Sequence, residues 1–358
     1  MLCVFTLYSN GNETDSATVF PLIAGSRIHN GFLINHHNRM KILNERAPYS
    51  IEMFIARASD GSNPWHGFYR YPLYGVSFMM FELGGPTYLG KAHCIFPFMQ
   101  FFLTGAERTA GLNARFGAGV AYVEKTFDPV DNYKNTAISS HINAFLNCGM
   151  ELRLRVATRV HLSGGCAFTH ISNGTLKKPN AGLNYVTAHA GAYYAFGCEK
   201  TVKPADRTCY NAGNKWQYTV YLSGGLKKYT TYDNSLYAVS GLSFEASRQH
   251  LAFTRFGGMI DVFYDTSDYA SLIRHEKETT KSQTVKAGIA AGYYFLFGKL
   301  SANVQTGGYL HAKNQEFGLI YQRLALRYAV ASRINIHLGL KTHWAQADYI
   351  EFALGYRI

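Results

Sequence analysis

Apolar and polar residues alternate at every second position through most of this chain, the period of a β-strand whose side chains point to opposite faces. The clearest run lies between Ser140 and Val156. Ile142, Ala144, Leu146, Cys148, Met150, Leu152, Leu154 and Val156 form one row, and His141, Asn143, Phe145, Asn147, Gly149, Glu151, Arg153 and Arg155 form the other. Such a run outlasts the usual soluble strand of about five or six residues. Trp216 to Lys227, Val285 to Phe297 and Leu324 to Val330 repeat the pattern, and the chain stops on another such strand from Ile350 to Ile358. No helical periodicity of any length interrupts it. Polar stretches at Asp60–His66, 126–137 and 265–282 read as separators, the last two as the longest loops. The count comes to roughly 14 to 16 strands.

This pattern predicts an all-β fold, an antiparallel transmembrane β-barrel of the outer-membrane type. Its apolar rows would face lipid, and its last strand would pair with its first. Aromatics at strand ends, Tyr194 with Phe196 and Phe295 with Phe297, fit interfacial girdles. Residues 1–24 read as an N-terminal segment, either a signal remnant or a loose tail. Residues 25–358 read as a single barrel, since no linker or composition shift marks a second domain. Met1 to Tyr8 lacks a basic start and has too short an apolar core for a signal peptide, which suggests a start that was cut or called late. A soluble β-sandwich would also alternate; the length and repetition of the rows favour the membrane.

Composition agrees. Aromatics make up 15% of the 358 residues, and 34 glycines stand beside only 9 prolines, a mix for many strands joined by turns. Apolar runs such as Cys94 to Leu103 fall short of the roughly 18 to 20 residues of a spanning helix. The formal charge of +12 is scattered singly, with no stripe or tail for a nucleic acid. Dispersed cations suit an anionic surface such as phosphorylated glycolipid better. The six cysteines show no CxxC spacing, so neither a metal nor a cofactor is implied; Cys198 and Cys209 bracket a polar turn and could pair.

One stretch departs from the alternation. Counting back from His170 by twos gives Phe168, Cys166, Gly164, Leu162 and Val160, so His170 and Ser172 close an apolar row. On the next strand Asn184 continues into Val186, Ala188, Ala190, Ala192 and Tyr194. Three polar side chains would then lie at the rim of one lipid-facing patch, where polar groups are costly and usually functional. Residues two apart on a strand are about 6.5 Å apart, within reach for an imidazole and a serine hydroxyl acting as base and nucleophile. A His-x-Ser pair is common by chance. His141, His161 and His189 lie on the opposite faces of their strands, where a satisfied interior histidine is the ordinary expectation.

His170-Ile171-Ser172-Asn173-Gly174 with Pro179-Asn180-Ala181-Gly182 resembles the signature of the lipid A 3-O-deacylase family (PagL-type acyloxyacyl hydrolases). Phe127 to Tyr133 and Ser140-His141-Ile142-Asn143 resemble its longer-chain branch. The likeness spans roughly residues 25–197; residues 198–358 carry only further barrel strands. The resemblance implies a bacterial outer-membrane enzyme that removes an ester-linked 3-hydroxyacyl chain from lipid A of lipopolysaccharide, among outer-membrane lipids. It implies Ser172 as nucleophile and His170 as general base. Asn173, Gly174 and Asn180 would stabilise the oxyanion. The family's acidic residue falls at Asn184, which can hold an imidazole tautomer but cannot stabilise an imidazolium as a carboxylate would. Glu151 is a tempting substitute, but its alternation puts it inside the barrel. The alternative expectation is a structural or ligand-binding barrel that keeps the scaffold without turnover.

Overall fold

The computed structural model describes residues 17–19, 21–105, 108–198, 200–202, 216–233, 235–275, 277–344 and 346–358. The start at Met1 and the Cys198–Cys209 pairing involve residues outside these. Among the described residues sixteen long strands form, at the upper end of the expected count, but the sheet closes twice. A first barrel comprises β2 (Leu22–Leu33), β3 (Tyr49–Ala58), β4 (Leu73–Glu82), β5 (Lys91–Phe102), β6 (Ala110–Val123), β7 (Ile142–Arg155), β8 (Val160–Ser172) and β9 (Leu183–Phe196). A second comprises β11 (Trp216–Lys227), β12 (Tyr237–Leu251), β13 (Thr254–Asp265), β14 (Val285–Phe297), β15 (Leu300–His311), β16 (Ile320–Ala329), β17 (Ile334–His343) and β18 (Gln346–Arg357). A short ribbon of β1 (Ala17–Val19) with β10 (Lys200–Val202) lies beside the first seam.

The single barrel expected over 25–358 is therefore corrected to two. β2 pairs with β9 from Leu22↔Phe196 to Leu33↔Tyr185, and the last strand β18 pairs with β11, not with the first strand. The local period of two is the same whichever strand closes the sheet; closure is a long-range choice. Eight strands also make a barrel just wide enough for side chains to fill. The 265–282 stretch contains a short helix, α2 (Thr266–Arg274), where no helical period was legible, and Asp265 caps it by accepting from the Ser267 N–H. A second helix, α1 (Pro64–Phe68), follows the Asp60–Asn63 polar turn.

Both barrels are apolar outside and charged inside. Ile28, Ile55, Ile95 and Leu152 on the first, and Leu222, Ile260, Leu338 and Phe352 on the second, are exposed. Inside the first, Arg27 pairs with Glu151 at 2.9 Å and Arg115 with Glu52 at 2.6 Å, all four buried. Inside the second, Arg323 meets Glu351 at 3.0 Å and Arg327 meets Glu245 at 2.8 Å. This inside-out distribution is that of a transmembrane barrel and excludes a soluble sandwich, whose core would be apolar. No helix among the described residues is long and apolar enough to cross a membrane.

The termini of the first barrel and its β3–β4, β5–β6 and β7–β8 turns lie at one rim. The loops at the other rim include 34–48 and 124–141, and long loops mark the external side of such barrels. Under that external rim sits an apolar plug that includes Met40, Leu43, Phe81, Leu83, Leu89, Phe96, Phe145, Ile171 and Tyr185. The barrels touch at both rims. At the inner one Phe297 packs on Trp65, Tyr69 and Phe101, and Tyr69 Oη donates to the Phe253 carbonyl at 2.8 Å. Phe297 thus serves the contact between barrels, whereas Tyr194 and Phe196 remain exposed as a girdle would require.

Candidate active site

The outward row of β8 is Leu162, Gly164, Cys166, Phe168 and His170, with Leu162, Cys166 and Phe168 exposed. On β9, Asn184 is the cross-strand partner of His170 and begins the outward row of that strand. Directly opposed side chains on neighbouring strands lie within contact range. Here they bond: His170 Nδ1 is 2.6 Å from Asn184 Oδ1. On the other side of the ring, Nε2 is 2.8 Å from Ser172 Oγ. Ser172 is 3% exposed and His170 is half-buried.

The hydrogen-bond roles follow from the acceptors. An amide oxygen only accepts, so Nδ1 of the neutral ring carries the proton and Nε2 is left to accept from the serine hydroxyl. His36 stands on the far side of Asn184: its Nε2 lies 3.1 Å from the Ala181 carbonyl, and its Nδ1 lies 3.3 Å from the Ile34 carbonyl and 3.5 Å from Asn184 Nδ2.

The loop between β8 and β9 folds back over the pair. Asn173 N–H donates to Asn180 Oδ1 at 3.2 Å, while Asn180 Nδ2 is buried with no hydrogen-bond partner among the described residues. An unengaged buried donor is costly unless something it binds arrives. Asn173 Nδ2 donates to Ser139 Oγ at 3.2 Å. Gly174 (φ +60°) takes the left-handed conformation that the tight turn after Ser172 demands. Gly182 (φ +78°) lets the chain pass close to the imidazole, since a Cβ there would lie 3.1 Å from His170 Cε1.

The 124–141 loop supports this arrangement. Asp128 Oδ1 accepts from the Val130 and Asp131 N–H groups at 2.8 and 2.9 Å, holding its carboxyl below the usual carboxylate range. Asn135 Nδ2 donates to the Tyr88 and Lys125 carbonyls. The loop then offers its own carbonyls at Thr136 and Ala137 to the N–H groups of Ala181 and Gly182 at 3.2 and 3.0 Å. The contacts to the β8–β9 loop thus come from residues 136–139, between the Phe127–Tyr133 and Ser140–Asn143 stretches.

All six sequence-predicted site residues gather at one rim: Ser172, His170 and Asn184 bond in series, and Asn173, Gly174 and Asn180 form the adjoining loop. Glu151 is inside, 2% exposed and bonded to Arg27, so it does not serve His170. Of the comparison histidines, His161 is buried and stacks on Tyr193, and His189 lies against Glu151 at 3.6 Å. His141, expected as an interior residue, is exposed just before β7 and stacks on Tyr122. Sequence reasoning missed His36 and Ser139. Ser139 stands one residue before a recognised stretch, whereas His36 lies in a loop with no pattern to reveal it.

Residues 52–193 match the family model described as lipid A 3-O-deacylase (PagL). Residues 216–358, where no motif was legible, match the model described as acyloxyacyl hydrolase, C-terminal domain. A search of curated protein sequences returned no match. Among solved structures, the crystal structure of Neisserial surface protein A (NspA) is 12% identical with a TM-score of 0.33, covering 49% of this chain and 97% of that one. The crystal structure of the outer membrane enzyme PagL is 17% identical with a TM-score of 0.33, covering 47% and 97%. A Rhodopseudomonas blastica porin triple mutant is 7% identical with a TM-score of 0.18, covering 96% and 100%.

Proposed function

The chain belongs to the lipid A 3-O-deacylase (PagL-type) family, a family of outer-membrane hydrolases, and from that premise we propose that it cleaves an ester-linked 3-hydroxyacyl chain from lipid A by a Ser172–His170 mechanism on the lipid-facing side of its first barrel. The observation that carries this reading is the series Asn184 Oδ1, His170 and Ser172 Oγ, bonded at 2.6 and 2.8 Å on an outward row of otherwise apolar residues. An acyl chain lying along Phe168 and Leu162 would bring its ester to the rim where Ser172 stands.

In this mechanism Ser172 Oγ attacks the ester carbonyl carbon while His170 Nε2 takes the hydroxyl proton. The carbonyl oxygen becomes an oxyanion, for which Asn180 Nδ2 and the N–H of Gly174 are the proposed donors. Collapse breaks the bond to the sugar oxygen, which leaves as an alcohol with the proton from His170. Water then attacks the acyl-serine, giving up a proton to His170, and the fatty acid departs as Ser172 regains its hydrogen. Asn184 keeps Nε2 free to act but offers no charge to the imidazolium that forms within each of the two halves. Turnover below that of a Ser-His-Glu site is the consequence.

That neutral Asn184 also favours a second reading, a barrel that binds lipid A without cutting it. Mass spectrometry of lipid A from a Gram-negative host separates the two. Loss of one 3-hydroxyacyl mass with the wild-type chain, and not with Ser172→Ala, supports the hydrolase. Unchanged lipid A with the folded protein in the outer membrane sinks it.

A further inference from the structure

The loop that follows Ser172 is held by the second barrel as well as by the first. Thr175 Oγ1 donates to the Asp348 carbonyl at the start of β18. Lys228 N–H, just after β11, donates to the Thr175 carbonyl at 2.8 Å, and Lys178 Nζ donates to the Tyr229 carbonyl at 2.7 Å. Gly174 meets Ile350 so closely that a Cβ on it would lie 2.5 Å from Ile350 Cγ1. Four contacts thus bridge from a loop of one barrel to the rim of the other.

The loop needs such support. Gly174 and Thr175 are both left-handed, at φ +60° and +67°, and a β-branched residue is a rare occupant of that region. Strained backbone of this kind persists only where its surroundings over-determine it. Thr175 is 8% exposed, and its two backbone-directed hydrogen bonds to the second barrel supply that determination. The receiving side is rigid in turn. The Asp348 carboxylate is fixed by Lys227 at 2.6 Å and Lys341 at 3.1 Å, both buried.

We propose that the second barrel is a positioning element of the active site: its β11–β12 turn and the start of β18 clamp residues 174–178, and so hold the donors proposed for the oxyanion. This rests on the hydrolase reading above and gives the C-terminal barrel a part in it. The clamp acts on the donors rather than on the acyl chain, so it governs kcat more than KM.

The test uses the full-length chain with Thr175→Val and Lys178→Met, each of which removes one bridging donor, and Phe297→Ala, which loosens the barrels at the opposite rim. Valine keeps the shape and branching of threonine, and heat-modifiable migration on gels checks that every variant is folded. For Thr175→Val and Lys178→Met we expect kcat on lipid A in detergent micelles to fall about tenfold with KM within about twofold. Amide exchange at residues 173–178 should quicken by a similar factor, whether or not the chain turns over. Phe297→Ala should leave both readouts near wild type. Unchanged loop exchange in Thr175→Val and Lys178→Met would overturn the clamp even in an active enzyme. An equal loss in Phe297→Ala would also overturn it, by showing general loosening. Quickened exchange in a chain whose wild type never deacylates would uphold the clamp and sink only the hydrolase.

Discussion

The two barrels have the same strand number and the same inside-out polarity, yet among the described residues only the first carries the proposed site at its rim. Near the external end of its seventh and eighth strands the opposed outward pair is His170 and Asn184; in the second barrel the outward pairs near that end are Leu340–Ile350 and Thr342–Ala347. Their interiors differ as well. The first barrel has an apolar plug beneath its external rim, whereas the second has a small cluster around Phe263, Tyr309 and Tyr321 and is otherwise filled by ion pairs. Oriented loops need a packed base, and the plug supplies one for the 124–141 and β8–β9 loops. A barrel filled with charge instead offers rigid, polar rim carbonyls, which is what the second barrel presents to Thr175.

The largest effect should come from Ser172→Ala, which abolishes deacylation (a loss of about a thousandfold or more) while leaving the barrel folded. Replacement of Leu340 by alanine should leave His170 and Ser172 bonded and activity measurable; if it is lost as completely as in Ser172→Ala, the asymmetry between barrels is wrong. Next comes Asn184→Glu, expected to raise kcat on the order of tenfold or more, since a carboxylate stabilises the imidazolium that an amide cannot. A fall in kcat there would mean that the His36–Asn184 contact matters more than charge.

Breaking one buried pair in each barrel sharpens the comparison of their interiors. Glu151→Gln and Glu351→Gln each leave a buried arginine short of its partner, a loss of about 3–5 kcal/mol. The apolar plug should let the Glu151→Gln protein keep its folded gel mobility to a higher temperature than Glu351→Gln. Equal melting would show that the plug adds nothing. The smallest effect concerns Asp128. Its carboxyl is depressed by two backbone N–H donors, so its hold on the 124–141 loop is complete at neutral pH. That hold is lost as the pH falls below the ordinary carboxylate range. Protease cleavage within this loop should therefore quicken on acidification in wild type, and already at neutral pH in Asp128→Ala.

Local periodicity made much of this protein legible. The alternating rows at 140–156, 216–227 and 285–297 became β7, β11 and β14 to within two residues at each end, because which side of a strand a residue faces depends only on its neighbours in sequence. For the same reason His170 and Ser172 could be assigned to the outward row, and Asn184 to the next strand. Short loops kept these three within one hairpin, where sequence distance and spatial distance run together.

What could not be read was long-range. Whether sixteen strands close once or twice depends on β2 meeting β9 and β11 meeting β18, pairings between residues far apart in the chain that leave no local trace. The support from His36 to Asn184 and from Asp348 to Thr175 spans 148 and 173 positions. The sequence by itself determined the strands, their two faces and the hairpin of the candidate site, since these are set by neighbours. The tertiary structure alone decided the closures, and with them the long-range contacts made by the β8–β9 loop.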